Sequence, residues 1–149
     1  MDFAAHRVAE RSEAFCLKHA LVCERDGRIA GAMLGYRLSN HGDTPELDGL
    51  CPTLRPEFDF AGRRPGSFYI NTLALYPAER KQGLGTVLVA AAERRARETN
   101  SACVLLEVER GNIGAVRFYR RHGFGLWPCL LGPEKLRGPY LVLEKVLSP

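Results

Sequence analysis

The chain has 149 residues, of which 46% are hydrophobic and 26% are charged, and its formal net charge is +4. These values are typical of one ordinary domain and exclude collagen-like, disordered and disulfide-stapled classes. We therefore predict a single domain over residues 1–149. Its mild positive charge permits an anionic ligand but falls short of a dedicated nucleic-acid binder, so no nucleic-acid partner is expected.

No segment contains the ~18 consecutive apolar residues that a membrane helix needs. The longest apolar stretch, 84–92, includes Gly85 and Thr86 and is followed by charged residues. Residues 1–20 lack the apolar core of a secretory signal, so we predict a cytoplasmic protein with no membrane partner. The five cysteines are odd in number and lack zinc-site spacing, which indicates reduced thiols and predicts no bound metal.

The first half of the chain predicts one helix and a hairpin. Residues 1–18 place apolar side chains three and four positions apart, which is the helical period. Strands over 19–25 and 28–38 flank Asp26 and Gly27, a pair that favours the positive φ angles of a tight turn. Residues 39–67 have no periodicity and form a long loop. Its five acids against three arginines would suit a cationic substrate or simply a solvated surface.

The second half alternates strands and helices. Strands are predicted over 68–76, 102–109, 124–131 and 140–146. A helix over 84–98 would bury a stripe that includes Val87 and Leu88. Another helix, over 113–122, begins after the N-cap candidate Asn112 and ends before Gly123, a residue suited to a left-handed stop. This order predicts a mixed α/β sheet flanked by helices.

The turn before the helix 84–98 is the most informative local feature. Arg80, Gly83 and Gly85 stand in the pattern R-x-x-G-x-G between a strand and a helix N-terminus. Glycines let a ligand approach the backbone, and helix N-termini favour anions, so such a turn can hold a diphosphate. Glycines also occur in turns for steric reasons alone. The spacing matches neither a Walker loop nor a dinucleotide-binding loop.

Four ordered segments resemble the GNAT superfamily of N-acetyltransferases over about residues 20–146. They are the strand INTLALYP (70–77), the turn 80–85, the strand LLEVE (105–109) and NIGAVRFYRRHGF (112–124). The match is nearest to ribosomal-protein N-terminal acetyltransferases. The resemblance implies an α/β (α+β) fold with a mixed, mostly antiparallel twisted sheet. Residues 1–18 leave room for one helix only, so either the family's first strand is missing or the sequence begins after it.

The resemblance also implies where acetyl-CoA, the expected cosubstrate, would bind. Its pantetheine arm would run beside the strand residues Leu73, Ala74 and Leu75, where the Leu75 N–H would polarise the thioester carbonyl. Asn112 matches an asparagine that contacts this arm. The diphosphate would lie on the backbone of the turn, formed by Arg80, Lys81, Gln82, Gly83, Leu84, Gly85 and Thr86.

The same resemblance assigns the chemistry. An amine of pKa ~10.4 is neutral in about 0.04% of molecules at pH 7, so it needs a base or a water path before it attacks the thioester. Glu107 and Tyr119 reproduce the family spacing of base and acid. Glu107 could instead form a strand-end salt bridge, and Tyr119 could simply pack as an aromatic residue. Asn71 stands where some relatives have an acid, and an amide cannot be a base.

Two other classes remain open at this level. The chain could be a non-catalytic acyl-CoA-binding module that senses the coenzyme or recruits a partner. A nucleic-acid patch on the last helix is the weakest alternative, and its members would be Arg117, Arg120, Arg121 and His122. The preferred reading is transfer of acetyl to a primary amine on a small molecule or peptide. An exposed terminal strand could also pair two copies into a homodimer.

Overall fold

The computed structural model describes residues 17–38, 66–127 and 139–148. These residues form six strands: β1 (Ala20–Arg25), β2 (Arg28–Arg37), β3 (Phe68–Leu75), β4 (Cys103–Glu109), β5 (Gly125–Leu126) and β6 (Tyr140–Val146). Two α-helices, α1 (Leu84–Glu98) and α2 (Ile113–Arg121), accompany short 3-10 turns at Leu17–His19 and Pro77–Glu79. Most predicted bounds are correct to within one or two residues.

The six strands form one sheet in the order β1-β2-β3-β4-β6-β5. Only β3 and β4 run parallel, while the other neighbours are antiparallel. The predicted mixed, mostly antiparallel sheet is therefore confirmed. The strand predicted over 124–131 is much shorter, since only Gly125 and Leu126 pair with β6; residues 128–131 lie outside the described part of the chain.

Local sequence signals set three of the element boundaries. Asp26 and Gly27 both have positive φ, of 50° and 71°, and close the β1–β2 hairpin as predicted. The Asn112 side-chain oxygen accepts a hydrogen bond from the Ala115 N–H at 3.1 Å and caps α2. Gly123 has a φ of 84° and stops that helix. The bounds of β1, β2 and α2 can therefore be predicted from the sequence without tertiary information.

Both helices cover one face of the sheet. Leu88, Val89, Ala92 and Ala96 of α1 are buried there, packed with the strand residues of a large apolar cluster. The prediction that Val87 is buried is wrong, because it is 57% exposed. These four buried residues span about 100° of the helix circumference, and Val87 lies about 100° outside that arc.

The opposite face of the sheet has a smaller core. Its buried members are Leu38, Tyr69, Cys103 and Leu105, with Tyr36, Trp127 and Val142 packed against them. Cys23 and Cys103 are buried reduced thiols, as expected for structural cysteines. Neighbouring residues of β4 thus alternate between two apolar clusters, as side chains of a central strand do.

Several predictions fall on other parts of the chain. Residues 1–16 of the expected first helix and residues 39–65 of the expected long loop lie outside the described residues. The expectation about the family's first strand concerns the same N-terminal residues and stays a prediction. No helix within the described ranges is long and apolar enough to cross a membrane. A homodimer, a cytoplasmic location and a single domain stay predictions.

Candidate active site

A wedge-shaped opening divides the sheet between its two parallel strands. Phe68, Tyr69 and Ile70 of β3 pair with Val104, Leu105 and Leu106 of β4, and the pairing ends there. Beyond this point β3 continues to Leu75 alongside β2, and β4 continues to Glu109 alongside β6. Residues 71–75 of β3 therefore form no backbone pairs with residues 107–109 of β4.

A β-bulge lies at the point where the two strands separate. Leu34 of β2 pairs with Thr72, but the next residue, Gly35, pairs with Ile70, so Asn71 is an extra residue on β3. A bulge bends the strand that carries it and increases its twist. Asn71 thus marks the place where β3 turns away from β4 and the opening begins.

The edge of β3 that faces the opening carries peptide groups suited to bind an extended chain. The Tyr76 N–H donates to the Ala30 carbonyl, 3.0 Å away on the β2 side. Peptide directions alternate along a strand, so the N–H of Leu75 and that of Leu73 point toward the opening. An amide-bearing ligand laid beside these residues could extend the sheet as an added strand.

The turn after β3 is built to expose its backbone amides. Lys81 and Gly83 both have positive φ, of 61° and 84°, and a Cβ added at Gly83 would meet no atom within 4 Å. Two side chains bond back to the preceding backbone: Arg80 Nε donates to the Leu75 carbonyl at 3.2 Å, and Gln82 Nε2 donates to the Ala78 carbonyl at 2.8 Å. These bonds stabilise the turn while its outer side stays open.

The backbone amides of this turn are available as donors to an anion. No described residue accepts a hydrogen bond from the backbone N–H of any residue in 81–85. Left-handed residues alternating with right-handed ones direct successive N–H groups to one side, and the first turn of α1 adds its unpaired amides and its dipole. The predicted diphosphate turn therefore has the donors that this role needs.

The remaining predicted coenzyme contacts lie around these two features. Leu73 and Leu75 are half-buried against the helix-side cluster, whereas Ala74 is exposed. Asn112 is exposed at the start of α2, and its side-chain oxygen is used by the helix cap. Only the amide nitrogen of Asn112 is then available as a donor to a ligand.

The two predicted catalytic residues lie on opposite faces of the sheet. Tyr119 of α2 is 9% exposed and packs in the helix-side cluster against Phe118 and Phe124. Leu106 and Val108 point into that same cluster, so Glu107 between them points to the other face. Glu107 is also the first residue of β4 after its pairing with β3 ends.

Comparison with known proteins identifies the family. The sequence profile of the acetyltransferase (GNAT) family matches residues 2–124. The chain belongs to this family. As a member of this family the chain is an acetyltransferase, an enzyme whose cosubstrate is acetyl-CoA.

Solved structures of similar fold support the architecture. Ard1 from Thermoplasma volcanium is 21% identical with a TM-score of 0.61, and the match covers 88% of this chain and 72% of that one. PaiA N-acetyltransferase from Thermoplasma acidophilum, solved with coenzyme A, is 16% identical with a TM-score of 0.60, covering 86% and 60%. Ribosomal-protein-alanine N-acetyltransferase from Brucella melitensis is 19% identical with a TM-score of 0.56, covering 86% and 68%. The sequence has no significant match among curated proteins.

Burial changes the acidity of two phenols in the acetyltransferase. Desolvation raises the pKa of Tyr119 to about 12. Burial also raises the pKa of Tyr36 to about 12, and the neighbouring Asn71 amide opposes part of that rise. Both phenols therefore stay protonated throughout the neutral range and keep a proton that they can donate to a hydrogen bond.

We expect these two phenols to make the enzyme lose stability above pH 10. The unfolded chain releases their protons near pH 10 and the folded chain near pH 12, so the free energy of unfolding falls as the pH rises through this window, by on the order of 1 kcal/mol or more per phenol. Urea unfolding at pH 9, 10 and 11 measures the fall. Tyr36→Phe and Tyr119→Phe should each reduce it, whereas Tyr140→Phe, at an exposed phenol, should leave it unchanged.

Sequence reasoning missed the role of His122, which it grouped with a basic surface patch. The His122 Nε2 lies 2.9 Å from the Thr86 hydroxyl oxygen, and its Nδ1 lies 2.8 Å from the Phe118 carbonyl oxygen. Thr86 and His122 are 36 positions apart, and no local pattern pairs them. Arg117, Arg120 and Arg121 are exposed on α2, and the expected absence of a nucleic-acid partner stays a prediction.

The described residues contain no cluster of three or more His, Cys, Asp or Glu side chains that could hold a metal ion. The expected absence of a metal from the whole acetyltransferase stays a prediction.

Proposed function

We propose that this acetyltransferase transfers acetyl from acetyl-CoA to a primary amine by direct attack while both substrates are bound. The observation that carries the proposal is the opening between β3 and β4 with the amide-rich turn at its end. The turn supplies donors for a diphosphate, and the free edge of β3 supplies donors for the amides of a pantetheine arm.

The pantetheine arm would lie along β3 as an added strand. The Leu75 N–H would donate to the thioester carbonyl, whose oxygen gains negative charge as the amine attacks. The Arg80 guanidinium donates through Nε to the Leu75 carbonyl, which belongs to the next peptide group, and so helps to hold the backbone at Leu75 in place. The thioester would then sit within the opening, where both faces of the sheet can reach it.

The reaction needs one proton removed and one supplied. The amine nitrogen attacks the carbonyl carbon, the C–N bond forms, and the C–S bond breaks to release the thiolate of coenzyme A. Glu107, directly or through water, would take the amine proton on one face. Tyr119 would donate a hydrogen bond to the departing thiolate on the other face, and the thiolate then takes a proton from solvent to give the thiol of coenzyme A. The placement of Glu107 and Tyr119 on opposite faces of the sheet supports separate roles for them in the reaction.

The pKa of Tyr119 defines its part more narrowly. A phenol of pKa about 12 is a weaker acid than a thiol of reference pKa about 8.5, so complete transfer of its proton to the thiolate is uphill. Its contribution is the hydrogen bond that stabilises the developing negative charge on sulfur. Such a donor, held in a site with little water, stabilises the transition state more than the ground state.

A coenzyme titration and an amine screen together test the proposal. Calorimetry should show that acetyl-CoA binds, and a thiol-release assay over peptides, lysine, polyamines and aminoglycosides should show turnover with at least one amine. Absence of binding at millimolar acetyl-CoA would refute the proposal. Binding without turnover across a broad panel would instead favour the non-catalytic acyl-CoA-binding module.

We expect Glu107→Gln to lower kcat/KM about 100-fold at pH 7, since the substituted amide cannot accept the amine proton. The deficit should shrink as the pH approaches the pKa of the amine substrate, because the neutral amine then needs no base. Glu109→Gln is the matched control: Glu109 lies two residues further along β4, on the same face, and is exposed. Equal activity of wild type and Glu107→Gln at pH 7 would remove Glu107 from the mechanism.

A further inference from the structure

His122 joins the end of α2 to the first turn of α1. Its ring packs on Phe118 with a centroid distance of 4.3 Å, and a Cβ added at Gly85 would lie 3.1 Å from the Phe118 ring. Its two nitrogens reach the Phe118 carbonyl and the Thr86 hydroxyl. Thr86 is the third residue of α1 and directly follows the free amides of the turn.

The partners of the ring determine where its protons lie. A carbonyl oxygen only accepts, so Nδ1 carries a proton and donates to the Phe118 carbonyl. In the neutral ring Nε2 has no proton and accepts from the Thr86 hydroxyl. In the doubly protonated ring Nε2 donates to the Thr86 oxygen, which leaves the hydroxyl proton free for another acceptor.

A diphosphate bound at the turn favours the second arrangement. Phosphate oxygens accept hydrogen bonds and carry negative charge, so they favour both a donating Thr86 hydroxyl and a cationic imidazole behind it. A proton taken from solvent onto Nε2 makes the imidazole cationic and frees the Thr86 hydroxyl to donate to a phosphate oxygen. Histidine is the side chain whose ordinary charge change falls between pH 5 and 8.

Among the described residues, the His122 nitrogens contact the Phe118 carbonyl and the Thr86 hydroxyl, and no ion pair with a carboxylate is present. Arg120 and Arg121 precede it on α2, and Lys145 of β6 lies against the neighbouring Gly123. The nearby acid, Glu93 of α1, is bonded to Lys145 at 2.6 Å. Arg80 and Lys81 on the turn add further positive charge. A diphosphate bound at the turn would bring negative charge close to this imidazole through its contact with Thr86.

We propose that His122 is a positioning residue for the coenzyme: it takes up a proton as the diphosphate binds and thereby turns the Thr86 hydroxyl toward a phosphate oxygen. The inference rests on the proposed function, because it requires the coenzyme diphosphate at the turn 81–85. It adds to that function a residue that touches neither the thioester nor the amine. Coenzyme affinity should accordingly rise as the pH falls from 8 to 6.

Calorimetry of coenzyme A binding in buffers of different ionisation enthalpy tests the proposal. At pH 7 the wild type should take up protons on binding coenzyme A, and take up none on binding pantetheine, which lacks the diphosphate. Thr86→Val and His122→Gln should each abolish the uptake and weaken coenzyme A binding about tenfold at pH 6, with little change at pH 8. Affinity for pantetheine should not change in either variant.

The double variant and two controls separate positioning from folding. Thr86→Val with His122→Gln should be no weaker than either single variant, since both remove one shared interaction. Thr86→Ser keeps the hydroxyl and should retain proton uptake, and Arg120→Gln should retain it because Arg120 is exposed on the same helix. If the wild type and His122→Gln took up the same number of protons on binding coenzyme A, the inference would be overturned and the proposed function would stand. Failure of the wild type to bind coenzyme A would refute the proposed function itself.

Discussion

We expect Tyr119→Phe to lower kcat about 1000-fold while the KM values for acetyl-CoA and amine stay near those of the wild type. The lost hydroxyl would act only on the thiolate that forms as the C–S bond breaks, so its removal affects the transition state and not the bound substrates. The effect should exceed that of Glu107→Gln, because water can replace a base at the half-buried Glu107 more easily than a donor at Tyr119 within the helix-side core.

Tyr119→Phe should fold as the wild type does, because the substitution removes only the phenol hydroxyl. Phenylalanine keeps the ring contacts with Phe118 and Phe124, whose centroids lie 5.2 Å and 5.6 Å away. Tyr140→Phe removes a phenol that is 46% exposed on β6 and should leave kcat unchanged. If Tyr119→Phe retained full kcat with an unchanged melting temperature, the phenol would be a packing residue and another group would assist the leaving thiolate.

We expect Gly31→Ala to lower the stability of the fold and to raise the KM for acetyl-CoA. Gly31 of β2 pairs with Leu75 of β3, and a Cβ there would collide with the Ala74 carbonyl oxygen and lie 2.5 Å from Leu75 Cδ2. Since the obstructing atom belongs to the backbone, the strands must separate, at a cost of about 3 kcal/mol in the free energy of unfolding. The Leu75 peptide would move with them, so the KM for acetyl-CoA should rise about tenfold.

Gly125→Ala is the matched control for this substitution. A Cβ at Gly125 of β5 would meet no atom within 4 Å, so the same methyl group should change neither the melting temperature nor the KM for acetyl-CoA. Thermal unfolding and steady-state kinetics of both variants give the comparison. Wild-type stability and KM in Gly31→Ala would show that the approach of β2 to Leu75 is not required.

The amino-acid sequence by itself determined the elements and much of the turn. The hairpin at Asp26 and Gly27, the cap at Asn112 and the bounds of α1 depend on interactions within about four residues, which a linear pattern records. The R-x-x-G-x-G pattern was readable for the same reason, because positive φ and free amides are properties of the turn's own backbone. The family followed from the order of these local signals.

Only the tertiary structure decided how the site is assembled. The opening depends on where the pairing of β3 with β4 ends, and the bulge at Asn71 depends on the register of β2 against β3. The placement of Glu107 and Tyr119 on opposite faces and the bond from His122 to Thr86 likewise join segments far apart in the chain. Strand register and helix docking result from the packing of the whole core, and packing between distant segments leaves no periodic trace in the sequence that a local pattern could reveal.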